Sequence, residues 1–298
     1  MSTDTTIHDL FEPKTGTWQY VVADPETKHA VVIDPVLDFD PAKNTTSTET
    51  ADAILSLVKE QNYLVVKILE THVHADHITS AGYLQSKLAH CQSQSPKICI
   101  GKRVGQTQEH FGRRYGIPDS EYKDAFDQLL DDDEIFSIGQ LEAKTIHLPG
   151  HTPDHLGYVI GDNVFCGDSL FNPDVGSARC DFPGGDASAL YSSARKMLSL
   201  PENFKIWTGH DYPPGGDDGR ANPLAATTVF EQNKSNKHLK GEVPKDEFIQ
   251  WRTTRDAGLP APRLLHQSLQ LNIRAGKMPA ESASGDRLLH IPVHFNWE

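Results

Sequence analysis

Four short apolar runs in this chain end in the same way: an aliphatic or β-branched stretch stops, and a histidine or an aspartate follows almost at once. YLVVKILETH runs into His72, His74, Asp76 and His77; KTIHLPGH ends at His151, NVFCGD at Asp168 and FKIWTGH at His210. Runs of this length bounded by Gly, Pro and Asp read as buried strands. Loops held at the ends of rigid strands are where a fold aims side chains at a common point. Four such ends therefore call for a strand-rich architecture that gathers them along one edge.

The remaining segments fit that demand. TWQYVVAD and HAVVIDPV, separated by a polar turn, read as a hairpin. ETADAILSLVKEQN follows as a helix, with Ala53, Leu55 and Val58 at helical spacing. ITSAGYLQSKLAH and VGQTQEHFGRRYG read as further helices, KICIGKR as a strand, and LGYVIGDNVFCGDSLF as a hairpin carrying Asp168. DASALYSSARKMLSL is a strongly amphipathic helix with Leu190, Ala194, Met197 and Leu198 inward. The pattern is α/β without the tight βαβ period or glycine fingerprint of a dinucleotide fold. After Pro213 the texture turns polar, with a Gly/Pro/Asp loop, PPGGDDGRANP, and short helical pieces. The division expected is a catalytic domain over 1–215 and an extension over 216–298 packed on it.

A net charge of −13 argues against nucleic acid or an anionic membrane surface as the main partner, though a few local arginines suffice for a small anion. No apolar run reaches a membrane span, and the first residues show neither a secretion signal nor a mitochondrial presequence. The four cysteines form no CxxC pair, so reduced thiols and a cytoplasmic location are expected.

Imidazoles with a carboxylate are the ligand set of zinc, iron or manganese rather than calcium or magnesium. Lone histidines such as His90, His110 and His238 are read as structural, and so are His147 and His155 beside the motif. The order H-x-H-x-D-H, P-G-H-T, G-D, G-H-D is similar to that of the metallo-β-lactamase superfamily, which implies an αββα sandwich with its metal site at the strand ends. THVHADHITSAGYL, LPGHTPDHLGYVI, GDSLFNPDVGSARCDFPGGDASALY and TGHDY resemble the persulfide dioxygenases of sulfide oxidation. The resemblance covers Phe11 to Tyr212 and continues in LPAPRLLHQSLQLNIRAGKMP, as in the longer bacterial and fungal members. The NPDVGSA loop is likewise longer than in animal-type members.

Spacing alone allows a binuclear site: His72, His74 and His151 on one metal, Asp76, His77 and His210 on the other, Asp168 bridging. That is the arrangement of a glyoxalase II-like thiolester hydrolase, with two zinc ions per chain. The persulfide dioxygenase resemblance implies instead one Fe(II) per chain on His72, His151 and Asp168, with His74, Asp76, His77 and His210 behind or beside it. The implied reaction takes glutathione persulfide and O₂ to sulfite and glutathione. Arg179 and Tyr212 are the candidate glutathione contacts, Arg274 and Arg220 weaker ones, and Cys180 is read as a loop residue rather than a sulfur carrier. A homodimer is expected from the resemblance. A non-catalytic binding module of the same fold is a third reading; it would predict a lost ligand, and none is lost.

Overall fold

A computed structural model of the protein describes residues 4–213, 215, 220–241 and 243–295, so the PPGGDDGRANP loop lies partly outside the described residues. The chain begins with a strand that sequence reading missed. β1 (Thr6–Glu12) pairs antiparallel along its length with β2 (Thr17–Ala23). TIHDLFE mixes Asp9 and Glu12 with its apolar residues, so only its partner marks it as a strand. β2 pairs in turn with β3 (His29–Ile33), the expected hairpin. β4 (Val36–Asp40) and β5 (Thr45–Ser47) follow, then α1 (Glu49–Glu60), then β6 (Leu64–Leu69) parallel to β3. The inward stripe of α1 is Ala51, Ile54 and Val58, with Leu55 partly buried; Ala53, expected inside, faces solvent. Residues three and four positions apart share a helix face, and Ala53 falls outside the stripe that Val58 sets.

A two-residue strand, β7 (Ile78–Thr79), pairs with β4 before α2 (Ala81–Cys91). β8 (Lys97–Gly101), α3 (Val104–Tyr115) and β9 (Gln128–Leu130) complete the first half. Its sheet runs β1-β2-β3-β6-β8-β9, with the last four strands parallel. The second half contributes β10 (Ile135–Ile138), β11 (Leu141–His147), β12 (Leu156–Ile160), β13 (Asn163–Phe165), α4 (Ala187–Leu198), β14 (Lys205–Trp207) and β15 (Ala226–Thr228). These strands form a second six-stranded sheet in sequence order, antiparallel except where β13 meets β14. The chain ends with α5 (Val229–Ser235), α6 (Lys245–Asp256) and α7 (Leu265–Asn272).

Alternation along the strands sorts the core into three layers, because successive strand residues face opposite sides. Tyr20, Val22, Val31 and Ile33 meet Ala143, Tyr158 and Phe165 between the sheets. Val21, Ala23, Ala30 and Val32 turn the other way, onto α1, α2, α3 and α7. Val164 and Ile206 cover α4, α5 and α6 with Leu190, Ala194, Met197, Val229 and Phe248. The result is helix, sheet, sheet, helix, the expected αββα sandwich. The segment beyond 215 supplies the edge strand of the second sheet and helices to both outer layers, so it is woven into the sandwich.

Candidate metal centre

Strand direction explains why the ligand residues meet. β3 and β6 are parallel, so Asp34 and the His72–His77 loop leave the first sheet at the same edge. β11 and β13 both run antiparallel to β12, and β14 runs parallel to β13. His151, Asp168 and His210 therefore leave the second sheet at one edge too. Three groups of side chains each bring their ligand atoms within 4.8 Å of one another: His72, His151 and Asp168; His74, Asp76 and His77; Asp76, Asp168 and His210. All seven of the predicted motif residues are thus brought together.

Hydrogen bonds behind the histidines fix which nitrogen each presents. Thr71 Oγ1 donates to Asp34 Oδ2 at 2.8 Å and accepts from His72 Nδ1 at 2.9 Å. His151 Nδ1 donates to the Arg179 carbonyl at 2.7 Å. Thr17 Oγ1 lies 3.3 Å from His210 Nδ1 and is braced through Thr15 to Glu12. This turns Nε2 of His72 and His151 toward the centre; at His210 burial would lower the pKa, but Asp168 and Asp76 beside Nε2 raise it above the ordinary value. Such outer partners orient metal-binding imidazoles and raise their basicity. His72 Nε2, His77 Nε2 and Asp168 Oδ1 are buried with no partner in the protein. Buried polar atoms are rarely left so, and a converging set of lone pairs fits a cation. Burial and the neighbouring His74, His155 and His151 hold the His72 pKa well below the ordinary value, which keeps its imidazole neutral.

His74 differs from the other histidines. Its Nε2 lies 3.1 Å from both Asp34 Oδ1 and Glu70 Oε2, all three side chains being buried. Burial would lower its pKa, but Asp34 and Glu70 raise it well above the ordinary value. Burial also tends to raise the Asp34 pKa, yet His74 and Thr71 hold it below the usual range, while burial wins at Glu70 and pushes it up.

Sequence reading missed this support layer: Asp34, Glu70, Thr71 and Thr17. Only the structure marks Asp34, a non-glycine residue at φ +47° directly before a proline; such backbone is uncommon and clusters at functional sites. Two motif glycines also have a steric role. A Cβ at Gly209 would lie 2.4 Å from Asp168 Oδ1, and Gly167, at φ +47°, packs against Thr71 and His155. His155, expected to be structural, stacks on His72 at 4.7 Å, and its Nε2 accepts from the Asp168 N–H at 3.0 Å.

A cavity of about 1010 Å³ opens over His151, Asp168 and Asp76. Arg179 and Tyr212 line it, and Tyr212 stacks on His210 at 5.8 Å. The Arg179 guanidinium is held by Asp181 and the Pro260 carbonyl. Arg274 is not brought there: it is buried on Glu121 and the Gln270 carbonyl. Arg220 pairs with Asp211 and Asp174. The Cys180 thiol does not line the cavity, and burial pushes its pKa up to about 12, far from a nucleophile's range.

Fold and centre are those of a metal-dependent α/β sandwich, and comparison with known proteins gives it a family. A profile described as Metallo-beta-lactamase superfamily matches residues 13–210, and the chain belongs to that superfamily. The Beta-lactamase hydrolase-like protein of Xylella fastidiosa is 42% identical over 97% of this chain, which spans only 64% of that protein's length. Glyoxylase B2 of Dictyostelium discoideum is 41% identical, with 99% of each covered. Persulfide dioxygenase ETHE1, mitochondrial, of Bos taurus is 31% identical over 91% of this chain and 88% of its own length. The crystal structure of ETHE1 from Myxococcus xanthus superposes with a TM-score of 0.71 at 27% identity, covering 91% of this chain and all (100%) of that one.

Proposed function

We propose that this chain is a persulfide dioxygenase that oxidises glutathione persulfide at one Fe(II) held by His72, His151 and Asp168. Glutathione persulfide, O₂ and water become glutathione, sulfite and two protons. The observation that carries this reading is the buried trio itself: two imidazoles with Nε2 presented and a carboxylate with a free oxygen, delivered by three separate strand ends. A two-histidine, one-carboxylate set leaves open positions suited to non-haem iron and O₂. When bound, such an ion supplies the redox-active centre beside which O₂ and the terminal persulfide sulfur react. Thr71 and the Arg179 carbonyl hold the two imidazoles in register. Phe171 and Phe182 give the cavity wall beside the trio an apolar face. Arg179 and Tyr212 stand where they contact the substrate, and its relationship to persulfide dioxygenases supports the choice of sulfur chemistry. A cytoplasmic homodimer belongs to the same proposal.

A second reading, a binuclear thiolester hydrolase, is favoured by the Asp76–Asp168–His210 group beside the first and by relatives bearing hydrolase or glyoxylase names. In that case Asp76, Asp168 and His210 would help to hold a second metal, and the pair would supply an activated water for thiolester hydrolysis. Metal analysis of protein purified without added metal, with O₂ uptake on glutathione persulfide, separates the two. About one iron per chain and persulfide-dependent O₂ consumption is the result expected of a two-histidine, one-carboxylate site. Two metals, no O₂ uptake and hydrolysis of S-lactoylglutathione would overturn it.

A further inference from the structure

The cavity is far larger than a persulfide sulfur and O₂ require, and at about 1010 Å³ it lies at the upper end for sites that take drug-sized ligands. Its wall is also unevenly charged. Two of its arginines are neutralised where they stand, Arg179 by Asp181 and Arg252 by Asp256. Three further cations, Arg114 on α3, Lys237 after α5 and Arg255 on α6, line the same cavity. Among the described residues, no carboxylate lies within ion-pair distance of any of them. Unpaired surface cations are ordinary singly; three converging on one opening are not, in a chain with 41 acidic residues against 28 basic ones.

The wall between them carries the mark of that charge. His238 stacks on Trp251 with ring centroids 3.5 Å apart. Burial and then Lys237, Arg252 and Arg255 lower its pKa to about 4, so it adds an uncharged face between cations. Ser177, His238 and Arg252 all line the cavity, and each keeps one buried polar atom without a protein partner. Cations backed by unspent hydrogen-bonding groups form a surface for carboxylates.

We propose that Lys237 and Arg255, together with Arg114, form a cationic rim that seats the carboxylates of a peptide-sized thiol derivative and so decides which substrate reaches the metal centre. The choice of thiol tripeptide rests on the proposed function; the need for an anion rests on the rim. The C-terminal segment then provides specificity, while the motif loops provide chemistry.

S-methylglutathione, which has both carboxylates and no reactive thiol, is the probe, measured by calorimetry on metal-loaded protein beside its diethyl ester. All three cations are exposed, so removing them leaves the core intact, and matched melting curves check this. Lys237→Ala/Arg255→Ala is expected to weaken the diacid about tenfold and to leave the ester, already weak on the native protein, unchanged. Raising the salt concentration should mimic the substitution. No binding of the diacid by the native protein, equal binding by the variant, or the same loss for diacid and ester would each overturn the proposal. S-lactoylglutathione carries the same tripeptide. Hydrolysis of that thiolester without O₂ uptake, with the charge dependence intact, would therefore remove the dioxygenase reading and leave the rim standing.

Discussion

Thr71 shows how much of the centre rests on residues that bear no metal. Its hydroxyl joins Asp34 to His72, so one atom sets both the tautomer and the angle of a ligand imidazole. Thr71→Val keeps the shape and removes the hydroxyl; loss of such an outer contact is expected to cost roughly 10- to 100-fold in metal affinity. Chelator competition measures it, and a native circular dichroism spectrum shows that the fold has survived. Gly209→Ala tests the steric side. Its Cβ would press on Asp168 Oδ1 and on the backbone of Gly167, at 2.4 Å and 3.0 Å. Neither can yield without moving the carboxylate, so metal content per chain is expected to fall sharply; an unchanged metal content would refute this account. The histidines and aspartates that meet at the centre were legible in the sequence, because packing alone gives no reason to set His and Asp at fixed spacing after apolar runs. Asp34, Glu70 and Thr17 were not. Each is a single polar residue near a strand terminus, and its role exists only once distant strand ends are side by side.

Among the elements, α7 has the least expected role. Asn272 at its last turn donates to the carbonyls of His74 and His77, both at 2.8 Å, and accepts from the Thr79 N–H at 2.9 Å. A helix nearly two hundred residues downstream therefore clamps the ligand loop. Asn272→Ala would leave three buried backbone groups unpaired, with an expected destabilisation of about 3 kcal/mol in urea unfolding and a loss of metal occupancy. A change under about 0.5 kcal/mol, typical of a surface substitution, would show that the clamp is idle. Sequence reading succeeded for elements whose own period declares them. α4 has its apolar stripe and an Asp186 side chain capping the Ala189 N–H; β2 and β3 are apolar on both faces because both faces are covered. It failed for β1 and β7, which are strands only by virtue of the neighbours they pair with.

Across the whole molecule, the boundary placed at 215 divides the sequence more cleanly than the structure does. β15 lies beyond it, as do Val229 and Phe248 in one outer layer and Leu269 and Ile273 in the other. Each buried side chain of this kind contributes about 1.5–3 kcal/mol, and a domain's net stability is only about 5–15 kcal/mol. A chain ending at residue 213 is therefore expected to be unfolded or insoluble; a cooperative melt of that fragment would show the first part to be self-sufficient. Polar composition hid this role, because α5 to α7 need only one apolar stripe each to close a layer. The same distribution of parts governs when the centre is assembled. Neither sheet owns a complete ligand set: the first carries His72 to His77, the second His151, Asp168 and His210. A chain emerging from the ribosome exposes the first group long before the others are made, and Asn272 comes last of all. An ion met early could be held only by an open, hydrated half-site; the full group of side chains comes together only when the two sheets close on each other.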